Sequence, residues 1–179
     1  VGVIAASSCG RNLIKLLQPF EVKILLYDPF VSAVQAEALG AQKVTLEELM
    51  AASDVVTLHA PDLPANRHMI NAQNLALLKD NSLFINTARG ALVDEEALVA
   101  ELKTGRFFAC LDVTEPEPPA EEHPLRHLEN VILTPHIAGG HTVNGRREQG
   151  AFILEQIYKF FTVGSLDYEV TKAMLGQIA

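Results

Sequence analysis

The feature that most constrains this chain is a series of apolar runs of strand length: VGVIA (1–5), VKILLY (22–27), DVVTLH (54–59), SLFINT (82–87), FFACLDV (107–113) and NVILTP (130–135). Helix-like segments separate most of them, and QKV (42–44) reads as a short extra strand. Continuous apolar strands alternating with helices imply a parallel sheet buried on both faces, since parallel neighbours need crossover connections. Right-handed crossovers then make the sheet doubly wound, so the expected class is α/β with a doubly wound parallel sheet. Helix starts agree with this reading. Thr45 and Glu48 have capping-box spacing before LEELM, and Asp94, Glu95 and Glu96 place acids at the positive end of EEALVAELK. The stretch EPEPPAEEHP (115–124) reads as a loop.

Composition removes several function classes. The chain has 179 residues, 49% of them hydrophobic, which is enough for one domain with its own core. It has no run of about 18 apolar residues and no signal-peptide pattern, so a cytoplasmic protein without a membrane partner is expected. The net charge of -8, with no local Lys/Arg cluster, argues against nucleic acid. Cys9 and Cys110 lie in apolar stretches without CxxC spacing and are expected to be reduced core thiols. His123 and His127 have i, i+4 spacing but flank Pro124 without an HExxH pattern, so no metal site is expected.

In an open parallel sheet, ligands bind beyond the carboxyl ends of the strands. The polar residues at those ends are Ser7 and Ser8, Asp28, His59, Thr87 with Arg89, Asp112 with Glu117, and His136. At the first end, VGVIAASSCGR runs from strand through a small-residue turn into a helix. A GxGxxG fingerprint would place glycines at positions 5, 7 and 10, and only Gly10 is one. Gly10 keeps the role of close helix–strand packing. Ala5 is tolerable there if its φ is negative, Ser7 adds a hydroxyl able to donate to phosphate, and the amides of Ser8 and Cys9 would face a pyrophosphate. Asp28 ends the second strand where a carboxylate accepts the ribose hydroxyls of NAD and repels the 2'-phosphate of NADP. An adenosylmethionine-dependent methyltransferase would place an acid there too, so Asp28 does not choose the reaction.

The second half of the chain narrows the choice. NTARGALVDEEAL (86–98), LDVTEPEP (111–118) and NVILTPHIAG (130–139) fall in that order at the last three strand ends. Together they closely resemble the D-isomer-specific 2-hydroxyacid dehydrogenase family, and the resemblance runs from Val1 to about His136. It implies a Rossmann-type NAD-binding domain over 1–140. Residues 141–179 would supply the following helix, GRREQGAFILEQIYKFF, and a tail, SLDYEVTKAMLGQIA (165–179), returning toward a substrate domain. Family members place that domain before the first strand, so the resemblance implies a fragment or a chain whose first half is not included.

The resemblance also implies roles. Arg89 of TARG, Glu117 (the second Glu of EPEP) and His136 of TPHIAG become the catalytic trio, and Asp112 the acid near the nicotinamide carboxamide. His59, Ala60 and Pro61 of LHAP, Thr87, Ala88 and Arg89 of TARG, and His136 and Gly139 join Ser7, Ser8, Cys9, Gly10 and Asp28 around the cofactor. The chemistry suits these residue types. A 2-keto acid presents a carboxylate beside a carbonyl, which a guanidinium can fork onto and polarise. His136 can give a proton to the developing alkoxide near neutral pH, and Glu117 beside it would hold the ring's tautomer and favour the imidazolium. The expected partner is a small 2-keto or 2-hydroxy acid, with the protein a homodimer. A second class shares the fold and motifs: an NAD-responsive, corepressor-like binding module in which the cofactor controls partner contacts.

Overall fold

The computed structural model describes residues 1–140 and 142–176; His141 and residues 177–179, the end of the expected returning tail, lie outside the described residues. Seven parallel strands form one sheet: β1 (Gly2–Ile4), β2 (Leu25–Tyr27), β3 (Gln42–Lys43), β4 (Val55–Leu58), β5 (Leu83–Asn86), β6 (Phe108–Leu111) and β7 (Val131–Leu133). Their order is β3-β2-β1-β4-β5-β6-β7, so the chain starts at the centre, winds to one edge, then returns to build the other. This is the doubly wound topology expected from the apolar runs, and β3 is the short strand read at QKV. The reversal of direction lies between β1 and β4, and in sheets of this kind ligands bind at the carboxyl edge of that switch point.

Among the described residues six α-helices connect or follow the strands: α1 (Ser8–Leu17), α2 (Ala33–Ala38), α3 (Leu46–Ala52), α4 (Ala72–Leu75), α5 (Glu95–Leu102) and α6 (Val143–Val163). Their starts are encoded locally. Thr45 accepts from the amide of Glu48 while the Glu48 carboxylate accepts from that of Thr45, and Asp94 caps α5 through the amide of Ala97. Two apolar clusters flank the sheet. One joins Ile14 of α1 and Ala36 of α2 to Val3, Ile24 and Leu26. The other packs Leu49 and Met50 of α3, Leu75 of α4, and Leu98 and Leu102 of α5 against Val56, Phe84 and Phe107.

The expectation of burial on both faces holds for only part of the sheet. Ile85, Cys110 and Ile132 stand in register across β5, β6 and β7, with Phe108 two residues before Cys110 on the same side. Phe108 is 50% and Ile132 63% exposed. The first cluster ends before these strands, so continuous apolarity there does not report a second covering helix within the described residues. The thiols also depart from expectation. Cys9 is exposed on the first turn of α1 and Cys110 is half-buried, both free. A helix start at a strand end faces outward, which is why Cys9 escapes the core.

Helix α6 has no buried residue, and the segment after it folds back along it. Lys159 pairs with Asp167 at 2.5 Å, and the rings of Phe152 and Tyr168 lie 5.7 Å apart. No helix among the described residues is long and apolar enough to cross a membrane.

Candidate active site

Parallel strands deliver the loops after β1, β2, β4, β5, β6 and β7 to one edge, so the polar residues read at the strand ends share that edge. The first loop holds α1 hard against β1. A Cβ on Gly10 would stand 2.2 Å from the carbonyl oxygen of Ala5, so only glycine permits the approach. Ala5 has φ +74°, which corrects the expectation of a negative φ. The turn out of β1 requires a left-handed residue whatever its side chain, and a non-glycine there carries strain of about 1–2 kcal/mol. Ser7 caps α1, its Oγ accepting the Gly10 amide at 3.3 Å. Ser8 and Cys9 lie in the first turn of α1, where N–H groups have no intrahelical partner.

Asp28 is buried and ties β2 to this turn. Its Oδ2 accepts the Ala6 amide and its Oδ1 the Phe30 amide, both at 2.8 Å. The carboxylate therefore builds the loop as well as ending the strand, and each oxygen keeps a lone pair beyond its amide bond. His59 is half-buried with Nε2 3.0 Å from the Thr57 hydroxyl, and burial pushes its ring below the ordinary histidine range. Ala60 is buried and Pro61 partly so.

Beyond β5 the chain makes a tight turn governed by Asn86. Its Oδ1 accepts the Ala88 amide at 3.0 Å and its Nδ2 donates to the Arg89 carbonyl at 2.9 Å. Thr87 and Arg89 are exposed, Ala88 partly, and the Arg89 guanidinium donates to the Ala88 carbonyl. Asn86 was not singled out in the sequence. A polar residue closing an apolar strand in NTARG was its only signal.

The last two strand ends meet. Nδ1 of His136 lies 2.6 Å from Oε1 of Glu117, with the two side chains 40% and 38% exposed. His136 has φ +53°, and its amide donates to the Asp112 carbonyl at 2.9 Å. Asp112 is buried and organises the turn that carries the imidazole. Its Oδ1 accepts from the Thr134 hydroxyl at 2.5 Å and the Ile137 amide at 2.9 Å, and its Oδ2 from the Ala138 amide at 2.9 Å. Burial pushes this carboxyl up, but the Thr134, Ala138 and Ile137 hydrogen bonds and the neighbouring His136 outweigh it and hold it below the usual range. Gly139 is exposed just past this turn.

A depressed carboxyl stabilises the folded state above its unfolded pKa of about 3.9, and that stability is lost as pH falls through the folded value. Asp112→Asn, which turns an amide NH₂ toward either the Ala138 amide or the Ile137 amide and Thr134 hydroxyl, should cost about 1.5–3 kcal/mol at neutral pH. Urea melts should show the gap closing below about pH 3.9. An unchanged midpoint at pH 7 would remove Asp112 as the anchor of the His136 turn.

The two histidines read without a metal role are engaged separately. His123 Nε2 lies 3.1 Å from Glu95, and His127 Nε2 3.2 Å from the Glu121 carbonyl oxygen. No group of three potential ligating side chains gathers among the described residues.

A glycine-tight turn into a helix at the centre of a doubly wound sheet, with an acid at the end of the next strand, defines a dinucleotide-binding α/β domain. Residues 1–138 match the family model described as "D-isomer specific 2-hydroxyacid dehydrogenase, NAD binding domain", and the chain belongs to that family. It is 40% identical over 161 residues to a D-3-phosphoglycerate dehydrogenase of Methanocaldococcus jannaschii, covering 89% of this chain and 30% of that protein. It is 39% identical over 162 residues to a hydroxypyruvate reductase of Thermotoga maritima, covering 89% of this chain and 52% of the relative. A solved D-2-hydroxyisocaproate dehydrogenase superposes with a TM-score of 0.83 at 32% identity, over 95% of this chain and 55% of its own. The chain thus spans between about a third and a half of these proteins.

Proposed function

We propose that this chain is the cofactor-binding and catalytic part of an NAD-dependent oxidoreductase that interconverts a D-2-hydroxy acid and its 2-keto acid. The observation that carries the reading is the 2.6 Å contact between His136 Nδ1 and Glu117, at the same sheet edge as the Arg89 turn. The residues fit NAD: α1 approaches β1 as closely as a pyrophosphate site needs, its first turn offers amides, and Asp28 stands at the end of β2.

Bound NADH would supply the hydride. Arg89, freed from the Ala88 carbonyl, forks onto the substrate carboxylate and carbonyl, orienting the keto acid and polarising the carbon–oxygen bond. With Nδ1 engaged by Glu117, Nε2 is the imidazole nitrogen left to serve the substrate. With Glu117 holding Nδ1, the protonated ring donates from Nε2 to the carbonyl oxygen as the alkoxide develops. In the oxidising direction the neutral ring takes that proton back. Asp112 keeps the His136 turn in place on the nicotinamide side, while His59, Ala60, Pro61, Thr87, Ala88 and Gly139 line the cofactor. The reading carries with it a homodimeric enzyme acting in the cytoplasm on a small keto acid such as glyoxylate or hydroxypyruvate.

Fluorescence titration should find NADH bound at least tenfold more tightly than NADPH, about 1.4 kcal/mol, because Asp28 repels a 2'-phosphate. Asp28→Ala should narrow the gap, and equal affinities in the unmodified chain would sink the ribose assignment. Turnover of a keto-acid panel, by this chain joined to the substrate-binding half its relatives carry, tests the reaction itself. Cofactor binding without turnover there would favour the binding-module class.

A further inference from the structure

Glu117 sits in a loop, 115–124, that lacks regular structure until the short turn at Pro124–Arg126. Both ends of that loop are fastened to one carboxylate. Oε2 of Glu95, the first residue of α5, accepts the backbone N–H of Glu115 at 3.1 Å. Oε1 of the same side chain lies 3.1 Å from Nε2 of His123. His123 Nδ1 accepts the Leu125 amide at 3.4 Å, so the proton of the neutral ring sits on Nε2, the nitrogen beside the Glu95 carboxylate. The Glu95 and His123 side chains are 16% and 22% exposed, more sheltered than the His136–Glu117 pair they stand behind. A sheltered, doubly engaged carboxylate holds its partners more firmly than a surface ion pair does.

Other contacts make the same corner rigid. Arg67 Nη1 holds the Glu115 carboxylate at 3.0 Å, and the Thr114 hydroxyl donates to the Pro116 carbonyl at 2.9 Å. A Cβ on Gly90 would stand 2.2 Å from the Thr114 carbonyl and 2.7 Å from the Glu115 nitrogen. The Arg89 turn and the start of the Glu117 loop are therefore packed back to back, and Glu95 lies five residues beyond Gly90. The Glu117 carboxylate, by contrast, has His136 as its one hydrogen-bonding partner among the described residues. Its position must come from the loop's backbone.

We infer that Glu95, with His123, is a positioning residue: it clamps both ends of the 115–124 loop to the start of α5 and so sets Glu117 against Nδ1 of His136. This rests on the reading of His136 and Glu117 as the proton-transfer pair. Glu95 is assigned no contact with the reacting atoms or the cofactor. It acts through Glu117, whose carboxylate fixes which nitrogen of His136 carries the proton in the neutral ring. A displacement of about 1 Å at such a pair is enough to spoil catalysis.

The test uses the 179-residue chain and the ring ¹⁵N signals of His136, which report its tautomer. At about pH 9 an imidazole is neutral, and the unmodified chain should show mainly the Nδ1–H form. Glu117→Ala should lose most of that population. Glu95→Ala should lose it too, with the backbone spectrum of the β-strands unchanged. If Glu95→Ala does not fold, His123→Ala removes the other side of the clamp and should produce the same loss. A tautomer shift in Glu117→Ala with none in Glu95→Ala or His123→Ala overturns the clamp and leaves the pair standing. No shift in Glu117→Ala overturns both.

Discussion

Replacing His136 by Ala should lower kcat for keto-acid reduction by about 10²- to 10⁴-fold, the usual contribution of general acid–base catalysis. The measurement belongs in the chain joined to the substrate-binding half its relatives carry, since water must be excluded from the edge where the trio lies. Cofactor affinity should change little, because the loss falls on proton transfer. Arg89→Lys should lose activity as well, an ammonium being unable to reproduce the fork on carboxylate and carbonyl. Glu117→Gln keeps the size of the side chain at the 2.6 Å contact but can turn an NH₂ toward Nδ1 in place of a carboxylate oxygen, and kcat should fall. If all three variants stay within about twofold of the parent, roughly 0.4 kcal/mol, the trio is not catalytic.

Gly10→Ala should be the most damaging single methyl in the cofactor half. The added carbon would sit 2.2 Å from a backbone oxygen, and backbone on both sides leaves no side chain free to swing away. Either α1 lifts from β1 or the Ala5 turn opens, at a cost of about 1–3 kcal/mol or more. Both movements displace the amides of Ser8 and Cys9. NADH affinity should therefore fall at least tenfold, about 1.4 kcal/mol. Gly150→Ala is the matched control. Nothing lies within 4 Å of a Cβ at that position in α6, so it should stabilise the helix by about 0.5–1 kcal/mol and leave cofactor binding alone. Equal cofactor affinity for Gly10→Ala and the parent would show that the fingerprint turn does not govern binding.

The apolar runs made the sheet legible because a strand buried in a parallel sheet needs no polar alternation, and every strand read from them is present. Helix starts at Thr45 and Asp94 were equally legible, since capping is settled within four residues. What escaped depends on the paths of loops through space. An acid at a strand end can face a ligand or the chain's own amides, and nothing near Asp28 or Asp112 in sequence distinguishes the two. Glu95 reads as one more acid at a helix start, and His123 as half of an i, i+4 pair. Only tertiary structure brings these two, 28 residues apart, into one clamp. The uncovered side of β5–β7 was hidden for a related reason: apolarity reports a wish for burial, and the element that grants it is not encoded in the strand.

The self-capped start of α1 bears on how the cofactor would come and go. With Ser7 holding the Gly10 amide and Asp28 holding that of Ala6, the loop proposed to receive the pyrophosphate is held by its own hydrogen bonds. Its conformational entropy is spent during folding, so binding need not order it again. Calorimetry on this chain should then show a heat-capacity change on the scale of the apolar surface the ligand covers, without the larger signature of coupled folding. Under that reading the ligand should exchange against a nearly rigid loop, with the first turn of the helix still wound after release.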